Sequence, residues 1–94
     1  MKVRWAIPAA GQLRSIFDYI AAGNPAAAGQ TVRRIRAVIL RTALMPHSGR
    51  IGRTSGTREI LVPGTSYLIV HRIVEDCIHV LTIFDGAQQW PTSY

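Results

Sequence analysis

The fold is decided by residues 58–84, which read REILVPGTSYLIVHRIVEDCIHVLTIF. Three apolar runs stand in this stretch, at residues 58–62, 67–74 and 77–84, and they are separated by Pro63-Gly64 and Glu75-Asp76. Short runs rich in β-branched and aromatic residues, bounded by turn-forming pairs, are typical of strands. Because links this short join strands in antiparallel fashion, we expect a three-stranded antiparallel meander here.

The residues before the meander begin with a strand pattern. Residues 2–7 alternate in character, with Val3, Trp5 and Ile7 on one side and Lys2 and Arg4 on the other. Strict alternation of this kind indicates a strand with one buried face. We therefore predict a first strand over residues 2–7, ended by Pro8.

Two helices are predicted to follow. The first covers residues 9–22, where apolar residues recur at helical spacing: Leu13, Ile16, Phe17 and Ile20. The second covers residues 25–44 and turns a second apolar set toward the core: Ala28, Val32, Ile35 and Ile39. Between them, Gly23-Asn24-Pro25 combines a helix stop with a cap and a first-turn proline. The two helices should form a hairpin.

These elements predict one α+β domain over residues 1–94, in the order strand, helix, helix, strand, strand, strand. The helices must cover one face of the sheet if both apolar surfaces are to be buried. No run of about 18 apolar residues is present, and the first residues lack the apolar stretch of a secretory signal. We expect a cytoplasmic protein with no membrane partner.

The net charge of +6 is unevenly distributed. Residues 1–60 carry ten Lys and Arg against two acidic residues, whereas residues 61–94 have a net charge of −2. A cationic surface attracts phosphate backbones or an acidic protein partner. On the second predicted helix, Arg33, Arg34 and Arg41 lie opposite the apolar side, with Arg36 on its flank. This arginine ridge is a solvated helix face or a contact for such a partner.

The segment after the second helix, residues 49–57, is predicted to be a mobile basic loop. It holds three glycines, Arg50 and Arg53, and it lacks the lysine pattern of a nucleotide-binding loop. No metal or cofactor is predicted, since His47, His71 and His79 match no metal-binding spacing. His71 and His79 are expected to pack within the sheet, the latter on the same side as Leu81 and Ile83. The single cysteine, Cys77, is expected to be a small core residue.

The order and spacing of several short segments resemble toxins of the RelE/ParE superfamily. The matching segments run along nearly the whole chain: Trp5, Tyr19-Ile20, Asn24-Pro25, Ala27-Ala28, Pro46, Gly49-Arg50, Gly56-Thr57-Arg58-Glu59, residues 67–73 and Ala87-Gln88-Gln89-Trp90-Pro91. The resemblance implies the toxic half of a type II toxin–antitoxin pair. It also implies an antitoxin that makes most of the contacts with operator DNA. The acidic, partly disordered tail of that antitoxin would wrap the toxin.

Members of this superfamily attack different targets, and the resemblance separates them by residue type. Nucleases resembling RelE cut message at the ribosome with Lys and Arg from the last strands. The positions that match those cations here are Glu59, Leu61, Leu68 and Gln88, and none is a cation. Asp85 stands where many relatives have His. The RelE mechanism is disfavoured, because each missing cation removes transition-state stabilisation.

The resemblance therefore implies a toxin closer to ParE, which inhibits DNA gyrase without chemistry of its own. One alternative is a ribosome-dependent mRNA endonuclease that uses Glu59 as base, with Arg50, Arg53 and Arg58 as phosphate clamps and His47 assisting. A second alternative is an attenuated toxin that mainly binds its antitoxin. The residues expected to contact target or antitoxin are Arg58, Arg50, Arg53, Arg33, Arg34, Arg41, Tyr67 and Trp90. Arg58 is favoured for function, and the alternative for it is a structural ion pair with Glu59 or Asp85.

Overall fold

The computed structural model of the chain describes residues 1–87. Its elements are β1 (Lys2–Trp5), α1 (Ile7–Ala21), α2 (Pro25–Leu44), β2 (Arg50–Ile51), β3 (Arg58–Leu61), β4 (Tyr67–Val74) and β5 (Cys77–Asp85). The predicted α+β order is confirmed, with one added short strand, β2, inside the segment predicted as a loop. Across residues 1–87, neither helix is long and apolar enough to cross a lipid bilayer.

The strands form one five-stranded mixed sheet in the order β1-β5-β4-β3-β2. The predicted meander is confirmed, because β3 pairs antiparallel with β4 and β4 pairs antiparallel with β5. β1 lies at one edge and pairs in parallel with β5, so that Arg4 is opposite His79. The short strand β2 forms the other edge and pairs antiparallel with β3.

The helix hairpin is as predicted, although α1 begins two residues early. It starts at Ile7 because Pro8 suits the first turn of a helix, where its missing N–H is not needed. The prediction that Ile7 shares the buried side of the first strand is wrong, since the residue is 89% exposed. At the second helix, Asn24 Oδ1 accepts a hydrogen bond from the Ala27 N–H at 3.1 Å. This cap and Pro25 in the first turn fix where α2 begins.

The core lies between the helix hairpin and one face of the sheet. Its buried residues come from both helices and from three strands or their ends: Ala9, Leu13, Ile35, Val38, Ile39, Val62, Ile69, Val80 and Ile83. From β1, Val3 and Trp5 pack against this cluster. Successive side chains of a strand point to opposite faces, so Lys2 and Arg4 lie on the outer face of the sheet, away from the helices. That outer face is covered by neither helix.

An irregularity in the β4–β5 pairing corrects one prediction. Val70 is opposite Thr82 but His71 is opposite Val80, so Leu81 is an extra residue in β5. A bulge of this kind changes which residues face the core, because the side-chain period is two. His79, Leu81 and Ile83 were predicted on one side, which is wrong: Ile83 joins the core cluster and His79 lies opposite Arg4.

Gln12 of α1 ties the helix to the part of β5 that has no neighbour on the β1 side. β1 ends at Trp5, opposite Val80, so β5 runs on from there without that strand. The Gln12 Oε1 accepts hydrogen bonds from Thr82 Oγ1 and from the Ile83 N–H, both at 2.8 Å. A buried N–H left without a partner is destabilising, and this side chain satisfies it.

The packing of α2 gives a direct test of the core. Ile35 is fully buried, at 0% exposure, whereas Leu40 on the same helix is 68% exposed. We expect Ile35→Ala to lower the free energy of unfolding by about 2–5 kcal/mol, through lost burial and the cavity left behind. Leu40→Ala, the matched control, should change it by less than about 0.5 kcal/mol. Urea denaturation of both variants measures the free energy of unfolding. Equal losses in the two variants would contradict the burial of Ile35 and the exposure of Leu40.

Candidate functional site

The most strongly held charged group in the described chain is the carboxylate of Glu59, at the start of β3. The residue is 2% exposed. Its Oε1 accepts from Arg50 Nε at 3.0 Å and forms an ion pair with Arg50 Nη2 at 2.9 Å. Its Oε2 accepts a hydrogen bond from the backbone N–H of Arg53 at 3.0 Å. Both carboxylate oxygens are thus used within the β2–β3 hairpin.

The predicted mobile loop is a hairpin closed by its own hydrogen bonds. The Gly52 N–H donates to Thr57 O at 2.7 Å, and the Thr57 hydroxyl donates to Thr54 O at 2.6 Å. Gly49 has a φ of +87°, and a Cβ there would lie 2.6 Å from both Glu59 O and Ile60 Cγ1. A larger residue at Gly49 would therefore strain the backbone and collide with β3. These contacts, together with Glu59, hold residues 49–57 in one arrangement.

Arg58, the residue favoured for function, lies beside this hairpin. Its Nη1 donates to Gly49 O at 3.2 Å, and its side chain lines a cleft together with His47, His71 and Arg72. The alternative of an ion pair between Arg58 and either Glu59 or Asp85 is wrong. Glu59 pairs with Arg50, as described above.

Asp85 is held in a separate turn at the end of β5. Its Oδ1 accepts from Ser66 Oγ at 2.6 Å and from the Ala87 N–H at 2.9 Å. These two hydrogen bonds, that from Ser66 first, lower the pKa of this exposed carboxyl. Asp85 therefore closes the turn after β5, which accounts for an acid at the position where relatives carry His.

His71 is buried beneath the Arg58 cleft. It is 1% exposed, and its Nε2 lies 3.1 Å from Pro46 O. A carbonyl oxygen only accepts, so Nε2 carries the proton, and Nδ1 has no partner within residues 1–87. Burial lowers the pKa of His71, and the nearby positive charge of Arg58 lowers it further, although the hydrogen bond to Pro46 opposes them. The side chain is therefore packed as a neutral imidazole, while His47 is exposed.

The outer face beside Glu59 is apolar. Leu61 is opposite Leu68 and Leu68 is opposite Phe84, which places the three side chains in one row. Leu61 is 56% exposed. Three of the four positions that match the nuclease cations are described. They are Glu59, whose carboxylate oxygens are both hydrogen-bonded, and Leu61 and Leu68. The fourth, Gln88, lies outside the described residues, as does Trp90.

The arginines of α2 form a second region, distinct from the hairpin. Arg33, Arg34 and Arg41 are exposed, as expected for the side opposite the core. Arg34 and Arg41 line a groove between α2 and the β3–β4 turn. Our sequence reasoning missed the exposed apolar residues beside them: Leu40, Leu44 and Met45, at 68%, 82% and 67% exposure. The i, i+4 spacing of Leu40 and Leu44 on the arginine side was a signal that could have revealed them.

Tyr67 lies in a third region, a groove between α1 and the start of β4. Gln12, Tyr19, Phe84 and Asp85 line it as well. Partial burial raises the pKa of the Tyr67 phenol, and the charge of Asp85 adds to this effect. The predicted site residues therefore do not converge on one centre. Nor do three or more His, Cys, Asp or Glu side chains converge as metal ligands within residues 1–87.

Comparison with known proteins places the chain in a family. Residues 3–90 match the family model described as ParE toxin of type II toxin-antitoxin system, parDE. The chain belongs to the ParE toxin family. It is also 38% identical over 90 residues to "Putative toxin Y4kP" of Sinorhizobium fredii, an alignment that covers 96% of this chain and 93% of that protein.

Solved structures share the fold of this ParE-family toxin. A structure described as the chromosomal ParDE TA system from P. aeruginosa matches with a TM-score of 0.82 at 22% identity, covering 90% of this chain and 95% of that one. The intact E. coli RelBE toxin–antitoxin complex matches with a TM-score of 0.69 at 10% identity, covering 94% and 98%. At these identities the likeness is one of fold. The strand, helix hairpin and sheet arrangement is thus shared with both of these structures.

The hydrogen bonds of the Glu59 carboxylate can be tested by substitution. Glu59→Gln removes the charge that holds Arg50 and the Arg53 N–H, so it should lower the free energy of unfolding by about 1.5–3 kcal/mol. Amide exchange at Arg53 should become faster, while exchange in β4 responds only to the change in overall stability. Glu75→Gln, at an exposed turn position, is the control and should shift stability by less than about 0.5 kcal/mol. Unchanged exchange at the Arg53 amide would contradict the role given to Glu59.

Proposed function

We propose that this ParE-family toxin inhibits DNA gyrase by binding it, without cleaving a substrate itself. The observation that carries the proposal is the state of Glu59, the one acidic residue between Asp18 and Glu75. A general base must be free to take a proton from a substrate hydroxyl. Both oxygens of Glu59 are occupied by Arg50 and by the Arg53 N–H, and the side chain is buried.

The surroundings of Glu59 also favour binding over catalysis. Metal-independent RNA cleavage needs cations beside the pentacoordinate phosphate. Leu61 and Leu68 occupy that part of the outer face, and their side chains cannot stabilise negative charge. Arg50 is engaged with Glu59, which reduces what it can offer to a phosphate. The mRNA endonuclease alternative therefore has the weaker support.

Arg58 and the β2–β3 hairpin are the surface that we assign to the target. Arg50, Arg53, Arg58 and His47 bring positive charge and N–H donors to one end of the sheet, and the hairpin is held in a single arrangement by its hydrogen bonds. A preorganised cationic surface loses little entropy when it binds carboxylates of a protein partner. Arginine is also common among the residues that dominate binding energy at interfaces.

An antitoxin is the second partner that we propose, and α2 is the surface for it. Leu40 and Leu44 are exposed in the middle of the helix side that carries Arg33, Arg36 and Arg41. Exposed apolar residues rimmed by cations fit an amphipathic segment with acidic side chains. The solved relatives described as ParDE and RelBE systems pair such toxins with antitoxins, which supports this assignment. In this proposal operator DNA is contacted through the antitoxin, in the cytoplasm.

Gyrase inhibition is tested with purified components. We expect a stoichiometric excess of the toxin to block plasmid supercoiling, and Arg58→Ala to raise the concentration needed by about tenfold or more, as for loss of an interface arginine. Arg14→Ala is the control, because Arg14 is exposed on α1, is paired with Asp18 at 3.4 Å and carries the same charge. It should leave inhibition unchanged. Circular dichroism confirms that both variants are folded.

Other outcomes separate the alternatives. Unaffected supercoiling at stoichiometric excess would falsify the gyrase proposal. Message cut within codons after induction of the toxin, with normal plasmid topology, would establish the endonuclease. Normal growth on overexpression without the antitoxin would mean an attenuated toxin that serves as a binding module.

The antitoxin surface has its own test. We expect the double variant Leu40→Ala/Leu44→Ala to weaken binding of the cognate antitoxin by about tenfold or more, since each truncation removes apolar contact area. Stability should be nearly unchanged, because both side chains are exposed in the free toxin. Titration calorimetry measures the affinity. Arg14→Ala again serves as control and should bind as the wild type does, whereas unchanged affinity in the double leucine variant would remove α2 as the antitoxin surface.

A further inference from the structure

Three basic side chains stand side by side on the outer face of the sheet, and the nearest of them, Arg72, is two residues from Val70, the partner of Glu59 in the sheet. Arg4 of β1 is opposite His79 of β5, and His79 is opposite Arg72 of β4. Residues paired across strands project from the same face. We call these three residues the basic row. Lys2 adds a fourth basic group two residues before Arg4, opposite Cys77.

The basic row is accessible and its arginines lack carboxylate partners. Arg4 and Arg72 are exposed and His79 is half-buried. Within residues 1–87 neither Arg4 nor Arg72 takes part in the ion pairs found, such as Arg14–Asp18 and Arg50–Glu59. Cys77, predicted to be a core residue, is half-buried and lines a cleft with Lys2, Arg4 and His79.

The row suits a negatively charged ligand. A bound anion would gain charge-assisted hydrogen bonds from Arg4 and Arg72, and the His79 ring lies between them. The guanidinium group also matches phosphate oxygens with two parallel donors. The row is therefore suited to an extended anion that reaches across three strands.

The surroundings of the row favour a nucleic acid over an acidic protein. The cores of protein interfaces are depleted of charged residues and rich in apolar ones, whereas nucleic-acid interfaces are polar and strongly basic. In the cleft with Arg4 and His79, the exposed large apolar residues are Met1 and Val74, at 48% and 39% exposure, and both lie beside charged groups. The outer side of α2 differs from the row, because it exposes the large apolar residues Leu40 and Leu44 among its arginines. The two surfaces thus suit different partners.

The spacing of the row fits a phosphate backbone. Adjacent strands lie about 4.8 Å apart, so the row is about 10 Å long from Arg4 to Arg72. A strand of DNA carries one charge per about 3.4 Å of helix axis, so this length corresponds to roughly three phosphates. Glu75 and Asp76 line the same cleft as Lys2, Arg4 and His79. Their charges direct a phosphate backbone across the strands and away from the β4–β5 turn.

We propose that the basic row binds the sugar-phosphate backbone of duplex DNA. A duplex is favoured over a single strand, because proteins that bind single strands stack the bases on aromatic side chains. Met1, Val74, Glu75, Asp76 and Cys77 line the cleft with Lys2, Arg4 and His79, and none of them is aromatic. The binding is independent of sequence, since phosphate contacts carry no base information. In the gyrase proposal, on which this contact does not depend, it would let the toxin hold enzyme and DNA together.

Fluorescence anisotropy with a labelled 20-bp duplex tests the basic row on the full chain. We expect Arg4→Ala/Arg72→Ala to raise Kd about tenfold at low salt and to reduce the slope of log Kd against log salt by about two. Arg33→Ala/Arg36→Ala is the matched control, with the same change in charge on α2, and should leave both quantities near the wild-type values. Should the alanine variant fail to fold, Arg4→Gln/Arg72→Gln retains the side-chain stems.

Several results would overturn the proposal. Equal losses in the two double variants would mean attraction by net charge alone. Absence of duplex binding by the wild-type protein would show that the basic row is not a DNA-binding site. Tighter binding of a single-stranded RNA of equal charge would assign the row to RNA, and displacement of the duplex by polyglutamate at equal charge concentration would assign it to an acidic protein. Because gyrase is absent from this assay, its outcome is separate from that of the supercoiling test.

Discussion

Burial of the helix hairpin against one face of the sheet is the constraint on which the rest of the structure depends. Ile35, Ile69 and Ile83 meet in this contact, and the domain has no second core to compensate for its loss within residues 1–87. Because the helices cover one sheet face, most basic residues lie in three places, the outer side of α2, the β2–β3 hairpin with Arg58 beside it and the outer face of the sheet, while Arg14 lies on α1. The separation of binding surfaces in this toxin thus follows from how its core is closed.

Glu59 shows how one buried charge can be committed to structure. The carboxylate neutralises Arg50, accepts from the Arg53 N–H and holds a basic segment in a fixed hairpin. A carboxylate so employed stabilises structure and presents the remaining cations to a partner, but it is not available to take a proton.

Much of the fold was predictable from particular residues. The turn pairs Pro63-Gly64 and Glu75-Asp76 predicted the meander, and Asn24-Pro25 predicted the start of α2. Two errors came from extending a local pattern too far. Ile7 continued the alternation of β1 but begins a helix, since Pro8 favours a first turn. Strict alternation put Ile83 on the same side as His79. The extra residue in β5 shifts that alternation by one, and no feature of the local sequence indicates the bulge.

The sequence by itself determined the element types, the family resemblance and the excess of positive charge, because these depend on local periodicity, turn chemistry and composition. The tertiary structure alone decided which residues meet. It placed Arg50 and Arg53 around Glu59, and it aligned Arg4, His79 and Arg72 across three strands that are distant in sequence. The physical reason is that cross-strand register and burial are set by the packing of the whole sheet against the helices, and a carboxylate or a cation acquires its role only from those neighbours.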